Sequence, residues 1–301
     1  MILKYYEGAN FGDAINPIIF KQLLPDFFDD DESTIFLGIG SVLGFIKGDE
    51  NTRKIIVFSS GFAYDDAPKI DSRYDIRCVR GPLTASSLNI DPNLAITDGA
   101  ALIRSLPEFM KPLDKKYKFS FIPHHVSDKM FDRWVPLFNE MGVNYISPRG
   151  NPVDVIKQIR QSECILAEAM HGAIISDSLR IPWIPVKMFE HINDFKWKDW
   201  LLSLEMDYNP VRIFRLYNNE WIRWIINDKL KIKEESILNR TASLIYRNYQ
   251  NIHLEKKFKS ELTQIMSYTE PALSKDSILI QKESRLLEEL DKVKHDYLDR
   301  L

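Results

Sequence analysis

The chain has 301 residues and a formal net charge of −3, with 45% hydrophobic and 28% charged residues. This length suits about two domains of ordinary size, and the composition is typical of a soluble globular protein. The near-neutral charge argues against nucleic acid as a partner, because binding to a phosphate backbone needs a basic face. No apolar run approaches the roughly 18 residues that span a bilayer, and the first residues lack the pattern of a signal peptide. A cytoplasmic enzyme is therefore expected.

The predicted elements of the first part of the chain alternate between strands and helices. Strands are expected at residues 2–6, 35–39, 54–59, 76–79 and 94–97. Pro17 and Pro82 stand where proline is favoured, in the first turn of a helix, so a helix is expected to begin at each. Residues 107–112 begin and end with proline and are expected to form a linker.

The alternation starts again after this linker. Strands are expected at residues 118–122, 143–146, 164–167 and 183–186, and helices at 132–141 and 152–161, the second with Asn151 as its N-cap. Alternating strands and helices predict βαβ units and parallel sheets covered on both faces. We therefore expect an α/β protein with two Rossmann-like lobes, at residues 1–110 and 111–218, and a deep crevice between them.

Residues 219–301 are expected to form a helical tail. Leu286, Leu290, Val293 and Tyr297 recur at helical spacing and form one stripe. Two heptads are too few to indicate a coiled coil. A helix that lies back on the protein is therefore favoured over a dimerisation helix.

The two cysteines do not suggest a disulfide or a metal site. Cys78 and Cys164 both lie in apolar, strand-like runs, which favours buried free thiols in a reducing compartment. Neither a Cys-x-x-Cys nor a His-Glu-x-x-His pattern occurs, so no metal site is expected.

The most informative segment is residues 168–179, EAMHGAIISDSL. It follows the apolar run at 164–167, so His171 and Gly172 are expected at a turn from strand to helix. Open α/β sheets present their chemistry at such turns. The alternative for a lone histidine is a neutral side chain satisfied by the first turn of its helix.

Other polar residues follow strands in the same way, and they should collect at one edge of the fold. Asp13 follows the first strand, Asp98 follows residues 94–97, and His124 with His125 follows residues 118–122. A carboxylate such as Asp13 is more often a helix cap than a base. Its place in the first strand-to-helix turn is what favours a catalytic role.

Two further segments predict anion binding. Residues 38–44, GIGSVLG, lack the spacing and the later acidic residue of a dinucleotide loop, but the backbone at Gly40 and the Ser41 hydroxyl could hold a phosphate or a carboxylate. Arg80 ends the strand at 76–79, so its guanidinium is expected to project and grip an anion in a bidentate fork. A surface salt bridge is the alternative for Arg80.

Taken in chain order, these segments resemble the polysaccharide pyruvyl transferases, and most closely the succinoglycan-type ketal pyruvyl transferases of bacterial exopolysaccharide assembly. The resemblance covers roughly residues 1–205, and its most specific part surrounds His171. The segments that carry it are residues 12–13, 38–44, 79–84, 97–99, 123–125, 168–172 and 195–200.

The resemblance implies a GT-B-like fold, phosphoenolpyruvate as the donor, and a sugar of a lipid-linked repeat unit as the acceptor. The product would be a pyruvate ketal that bridges two hydroxyls. An arginine and a histidine of the family bind the donor, and they correspond to Arg80 and His171. Some relatives also carry an arginine where this chain has Ala169, so a second cation is expected from Arg149, Lys187 or His124.

Ketal formation needs a proton for the methylene carbon of the donor, a base for the attacking hydroxyl and cations for the departing phosphate. We expect His171 to be the acid or the phosphate partner and Asp13 or Asp98 to be the base. Neither a metal nor another cofactor is chemically required. The residues expected to bind the donor are Arg80, Gly40, Ser41, His124, His171 and Gly172.

Two other functions remain open at this point. A nucleotide-sugar glycosyltransferase would share the two-lobed fold and would need a carboxylate for the ribose, for which Glu190 is the only nearby candidate. A non-catalytic scaffold of polysaccharide assembly would use the helical tail for docking.

Cations and indoles between residues 195 and 224 suggest peripheral contact with an anionic membrane. The favoured alternative is buried indoles with solvated cations beside them, because tryptophan is highly buried on average. The residues concerned are Lys196, Trp197, Lys198, Trp200, Arg212, Arg215, Trp221, Arg223 and Trp224.

Overall fold

Two parallel β-sheets, taken from successive parts of the sequence, form the framework of the protein. The computed structural model describes residues 1–63 and 67–298. The first sheet has the order β1-β2-β3-β4, formed by Ile2–Lys4, Thr34–Leu37, Lys54–Ser60 and Tyr74–Val79. The second sheet has the spatial order β6-β5-β7-β8-β9. In chain order, strands β5 to β9 are Tyr117–Ile122, Asn144–Tyr145, Ser162–Ala167, Trp183–Lys187 and Val211–Arg212. The expected α/β class with two parallel sheets is confirmed.

Helices cover both sheets, and turns and loops connect the elements. We call each sheet with its neighbouring helices a lobe. The helices α1 to α9 are Phe11–Ala14, Asn16–Leu23, Pro82–Leu88, Pro107–Met110, His125–Met130, Trp134–Glu140, Pro152–Arg160, Met170–Ser178 and Asp194–Ser203. The helices α10 to α13 are Asn219–Leu230, Ile237–Tyr249, Glu255–Tyr268 and Asp276–Leu298. Short 3-10 turns lie at Pro92–Leu94 and Gly99–Ser105, and a π-helical segment at Gln250–Leu254.

The alternation of side chains along β3 shows why the first sheet is buried on both faces. Ile56 and Phe58 enter a core that continues into the second lobe, whereas Ile55 and Val57 enter a separate core on the opposite face. Successive side chains of a strand point to opposite faces, and a parallel sheet is covered on both. This explains the unbroken apolar run that predicted the strand.

Two sequence-based expectations are wrong. The strand expected at 94–97 is absent, because Pro92–Leu94 forms a 3-10 turn and the chain touches β4 only through an isolated bridge between Ala95 and Val79. The expected linker at 107–112 begins with α4, whose Phe109 is buried in the core. Asn151 does cap its helix as expected, accepting from the N–H groups of Val153 and Asp154.

The tail folds back on both lobes. Helix α12 packs on the second lobe, and α13 buries Leu286, Leu290 and Val293 in the core shared by the two lobes. At the end of α13, Asp296 accepts a hydrogen bond from Arg77 of β4 at 2.7 Å. The expected helical stripe that lies back on the protein is thus confirmed.

Three further findings complete the fold. Cys78 and Cys164 are both buried free thiols, as expected. No helix within residues 1–63 and 67–298 has the length and apolar character needed to cross a membrane. The indoles of Trp197 and Trp200 are buried in the core, which confirms the favoured interpretation of that cluster for these two residues.

Candidate active site

A cavity of about 470 Å³ lies between the two lobes, at the carboxyl ends of their strands. Its size falls within the range of about 300–1,000 Å³ that is usual for small-molecule sites. The expected crevice between the halves is therefore present. Its main polar lining is contributed by Asn10, Asp13 and Ser41 of the first lobe and by His124, His171 and Lys196 of the second.

Asp13 is a carboxyl group of the cavity lining whose pKa lies close to neutral pH. Burial raises its pKa to about 7, against the opposing effects of the Lys196 charge and a hydrogen bond from Asn10. Asn10 is the N-cap of α1 and donates its side-chain amide to Asp13. A carboxyl group with this pKa is populated in both protonation states at neutral pH, which suits acid–base catalysis.

The turn after β2 is pressed against Asp13. Gly40 has a φ of +119°, and a Cβ atom at this position would lie 2.6 Å from Asp13 Oδ1. Both the left-handed backbone and the close contact require glycine. Asn16 connects the segment around Asp13 to the turn after β2. Its side-chain amide donates to the Ile39 carbonyl at 3.0 Å, and its side-chain oxygen accepts from the Ile39 N–H at 2.7 Å.

His171 and Asp98 form a buried pair behind the cavity. His171 Nε2 lies 3.9 Å from Asp98 Oδ2. Within the described residues, neither atom has a hydrogen-bond partner. The other oxygen of Asp98 accepts from the N–H of Ala100 at 3.0 Å. A water molecule or a substrate hydroxyl that contacts both atoms would satisfy both.

The environment keeps His171 neutral. Burial, together with the Lys196 and Arg80 charges, lowers its pKa to about 3. Burial raises the pKa of Asp98 to about 6. At neutral pH the side chain is therefore an uncharged imidazole, whose unprotonated ring nitrogen can accept a proton. This does not favour the expected role of His171 as the acid.

Helix α8 presents its N-terminus at this cavity. Its N-cap, Ala169, supplies no side-chain hydrogen bond, and Ala169, Met170 and His171 all line the cavity. Free N–H groups and the positive end of the helix dipole favour anions there. Gly172 serves packing, because a Cβ atom on it would lie 2.6 Å from Ile122 Cγ2 of β5.

Glu168, just before this helix, has a structural role that the sequence did not reveal. Its buried carboxylate accepts from the N–H of His124 at 3.1 Å and from the N–H of Met188 at 2.9 Å. These contacts hold the ends of β5, β7 and β8 at fixed positions. The loop that carries His124 is positioned by them.

The expected second cation is not provided by the three residues considered for it. Burial lowers the pKa of His124 to about 2, so its ring is uncharged at neutral pH. Lys187 is buried and bonded to Asp194 at 2.7 Å, and Arg149 is paired with Asp128. Neither Lys187 nor Arg149 lines the cavity.

Lys196 supplies the cation that sequence reasoning missed. It lies in the first turn of α9 and lines the cavity. Its positive charge lowers the pKa values of both Asp13 and His171. The signal was present, since residues 195–200 carry part of the family resemblance, but spacing alone does not show which side of α9 faces the cavity.

Arg80 is not exposed to the cavity, contrary to the expectation that its guanidinium projects there. The side chain is 0% exposed, and it donates to Asp199 at 2.9 Å, to Ser41 Oγ at 2.7 Å and to the Phe62 carbonyl at 2.9 Å. Asp199 lies on α9, so this ion pair joins the two lobes. Ser41 itself lines the cavity, and Arg80 therefore reaches it through that hydroxyl.

The close contact between the lobes continues at the start of α3. Thr84 donates both its N–H, at 2.9 Å, and its hydroxyl, at 2.6 Å, to Asp199. A Cβ atom on Gly81 would lie 2.0 Å from the Asp199 carbonyl oxygen. The two lobes thus meet with no room for a side chain at residue 81.

Two remaining observations concern the ribose carboxylate of the glycosyltransferase alternative and the groups that could bind a metal. Glu190 is exposed, paired with Arg212 at 2.8 Å and not part of the cavity lining. Among the residues that the structure describes, no group of three or more His, Cys, Asp or Glu side chains could hold a metal ion.

Comparison with known proteins identifies the family of this chain. A model of the polysaccharide pyruvyl transferase family matches residues 29–187, more than half of the chain. The chain is also 36% identical, over 314 residues, to the succinoglycan biosynthesis protein ExoV of Rhizobium meliloti (strain 1021), with 97% of this chain and 98% of that protein covered. No solved structure matches it. The chain therefore belongs to the polysaccharide pyruvyl transferase family.

Proposed function

We propose that this protein transfers the pyruvyl group of phosphoenolpyruvate to a sugar of a bacterial exopolysaccharide or another cell-surface polysaccharide, forming a pyruvate ketal. Membership of the family and the name of its relative support a pyruvyl transfer to polysaccharide. The observation that carries the proposal is one cavity that contains Asp13 with a near-neutral pKa, a neutral His171 and the cation Lys196. The acceptor is proposed to be a lipid-linked repeat unit.

The proposed architecture is GT-B-like, with two Rossmann-like lobes at residues 1–110 and 111–218 and a helical tail at 219–301. Two parallel sheets with a cavity between their carboxyl ends support this proposal.

Donor binding is assigned to the α8 N-terminus and Lys196. Phosphoenolpyruvate carries a phosphate and a carboxylate, and both groups are favoured by helix N–H groups and by a nearby ammonium. The Ser41 hydroxyl, with Gly40 beside it, adds a polar contact on the opposite wall. Arg80 acts in this proposal as a positioning residue, because it holds Ser41 rather than the donor.

In the first chemical step, the protonated carboxyl of Asp13 gives its proton to the methylene carbon of the donor. The double bond supplies the electron pair for the new C–H bond, and cationic character develops at C2. A hydroxyl of the acceptor attacks C2, and its proton passes to the neutral imidazole of His171. This proposal exchanges the acid and base roles suggested by the sequence, and the higher pKa of Asp13 relative to that of His171 supports the exchange.

In the second step the C–O bond to phosphate breaks, and the electron pair leaves with the phosphate. Lys196 and the helix N-terminus stabilise the negative charge of this leaving group. The second hydroxyl attacks C2 and gives its proton to the Asp13 carboxylate, which restores the acid. The proton held by His171 leaves with the phosphate, so the net products are one ketal and one inorganic phosphate.

Asp98 is proposed as a positioning residue for His171. Its unpartnered oxygen lies 3.9 Å from Nε2. A carboxylate at this position favours the imidazolium that forms when His171 accepts a proton.

The rival glycosyltransferase has no specific support, because Glu190 faces solvent rather than the cavity. The decisive experiment incubates the protein with phosphoenolpyruvate and a panel of lipid-linked and aryl glycosides. Release of inorganic phosphate together with the pyruvyl mass increment on the glycoside is the expected result. Release of a nucleoside diphosphate from a nucleotide sugar would favour the glycosyltransferase. No turnover of either donor class would favour the non-catalytic scaffold.

A further inference from the structure

Helix α11 is oriented with its polar side inward and its apolar side outward. Asn239, Ser243 and Gln250 are buried, although a surface helix ordinarily buries its apolar stripe. At about 100° per residue, the opposite side is apolar and interrupted by Thr241 and Asn248. On this side of α11 and its π-helical continuation, the exposed apolar side chains are Ile237, Leu238, Leu244, Ile245, Tyr249 and Ile252. We call this surface the α11 face.

Hydrogen bonds fix this orientation. The side-chain amide of Asn239 donates to the carbonyls of Arg223 and Ile232, at 3.2 and 3.0 Å. Gln250 donates to the Tyr217 carbonyl at 2.6 Å and accepts from the Tyr217 N–H at 2.9 Å. Turning α11 to bury its apolar side would leave these groups unsatisfied. These hydrogen bonds therefore keep the α11 face exposed to solvent, with Ile237 82% exposed and Ile245 65% exposed.

The charges around this face are positive. Residues 236–254 contain no aspartate or glutamate, and residues 229–257 contain seven lysines or arginines against three acidic residues. The whole chain has a net charge of −3, so the positive charge is local. Arg240 and Arg247 lie within the helix itself. Beside it, a groove of about 590 Å³ is lined by Trp224, Arg215, Asp228 and Lys229, among others. Asp228 pairs with Lys229 and Lys231 and offsets part of this positive charge.

We propose that the α11 face docks on the surface of an anionic lipid bilayer. A helix with an apolar side, flanking cations and aromatic residues lies in the plane of the interface with its apolar side among the acyl chains. Trp224 and Tyr249 are the residue types that favour this interface. A second copy of the chain fits less well, because a two-fold contact would bring the same basic residues face to face.

This proposal keeps Arg215 and Trp224 from the sequence-based membrane hypothesis for residues 195–224. It leaves out Lys196, Trp197 and Trp200, because the two indoles are buried and Lys196 lines the cavity. It does not depend on the proposed enzymatic activity. The protein can bind vesicles whether or not it transfers pyruvate.

The first test is co-sedimentation of the full chain with vesicles of phosphatidylcholine alone or mixed with phosphatidylglycerol, at low and high salt. We expect binding to the anionic vesicles that weakens at high salt. Leu244→Ser combined with Ile245→Ser should reduce this binding by about tenfold or more, because apolar burial is lost. The matched control, Val135→Ser combined with Val153→Ser, changes two exposed apolar residues elsewhere and should bind like the wild type.

A second measurement reports which surface is in contact. Because both native cysteines are buried, Ile245→Cys can be labelled with an environment-sensitive fluorophore, and Thr263→Cys on α12 serves as the control. Anionic vesicles should shift the emission of the Ile245→Cys label to the blue and leave the control label unchanged. Equal shifts at both positions, or no binding to anionic vesicles, would overturn the proposal. Self-association that Leu244→Ser with Ile245→Ser abolishes, without vesicle binding, would assign the face to a second copy instead.

Discussion

Gly12 of the first lobe lies directly against the imidazole of His171 of the second lobe. A Cβ atom at residue 12 would lie 2.1 Å from His171 Nδ1 and 2.4 Å from its Cγ. These distances are too short for any side chain, since real Cβ contacts are longer than about 3 Å. The turn after β1 therefore sets the position of the histidine across the cleft, and the two lobes build the site together.

The first prediction follows from this contact. Gly12→Ala should force the imidazole or the α1 turn to move and should lower the rate by at least about a hundredfold, since misplacement of about 1 Å has that effect. The measurement is the rate of phosphate release alongside a melting curve. Gly150→Ala is the control, because its Cβ atom would meet neighbours at 3.3 Å, a contact that a much smaller shift relieves. Equal activity of the two variants would contradict the proposed role of the Gly12 contact.

The second prediction concerns His171 itself. His171→Ala should lower the rate by at least about a hundredfold, the usual contribution of a general base, while the fold is retained. His171→Gln keeps a side chain that can donate hydrogen bonds, but its amide is too weak a base to accept the hydroxyl proton, so this variant should be as slow. Near-normal turnover of either variant, with a normal melting temperature, would remove His171 from the mechanism.

The third prediction is a pH dependence set by Asp13. If Asp13 acts in its protonated form, kcat/KM should fall as the pH rises above about 7, the pKa of this group. Lys196→Met should move this fall to higher pH, because the Lys196 charge lowers the pKa of Asp13. Lys198→Met, on the exposed side of α9, should leave it in place. Identical profiles for all three proteins would exclude Asp13 as the titrating acid.

The raised pKa of Asp13 should also make the stability of the protein depend on pH in a defined direction. Because burial raises the pKa of Asp13 from 3.8 to about 7, its proton stabilises the folded state fully below about pH 3.8, and this contribution is lost as the pH rises through about 7. Relative to Asp13→Asn, the unfolding free energy of the wild type should therefore decline between those values, by up to about 1.4 kcal/mol per pH unit. Denaturant unfolding at several pH values measures this difference. A constant difference would show that the pKa of Asp13 is not raised.

The fourth prediction concerns Arg80. Its three nitrogens donate in three directions, and a lysine can replace only part of that arrangement. Arg80→Lys and Arg80→Ala should each lower the unfolding free energy by about 2–5 kcal/mol, because Asp199 stays buried without its full set of partners. Both should also raise the KM for phosphoenolpyruvate, because Ser41 loses its anchor.

The control for Arg80 is Arg73→Lys, which alters an exposed ion pair with Asp71 and should leave the melting temperature close to that of the wild type. Thermal melting and steady-state kinetics of the three variants provide the test. If Arg80→Lys restores both wild-type stability and wild-type KM, the directional hydrogen bonds of the guanidinium have no special role.

Much of the fold followed from local patterns in the sequence. Apolar runs located eight of the nine strands in the described parts of the chain. Turn residues located many of the helices that follow them, because strand and helix periodicity depends on near neighbours. Residues 211–212, too short for such a pattern, were missed as a strand. The position of His171 at the start of α8 was also a local inference, and so was the buried stripe of α13.

Only the tertiary structure decided how the charged groups are used. Arg80 and Asp199 are 119 residues apart, and their pairing removes the guanidinium from the cavity. The same folding brings Lys196 in, makes His171 neutral and raises the pKa of Asp13. Burial and distant partners determine pKa and exposure, and neither is encoded in the spacing of neighbouring residues. The sequence alone therefore determined which elements form and which polar residues follow their strands. The approach of the two lobes determined which of those polar residues are charged, buried or exposed to the cavity.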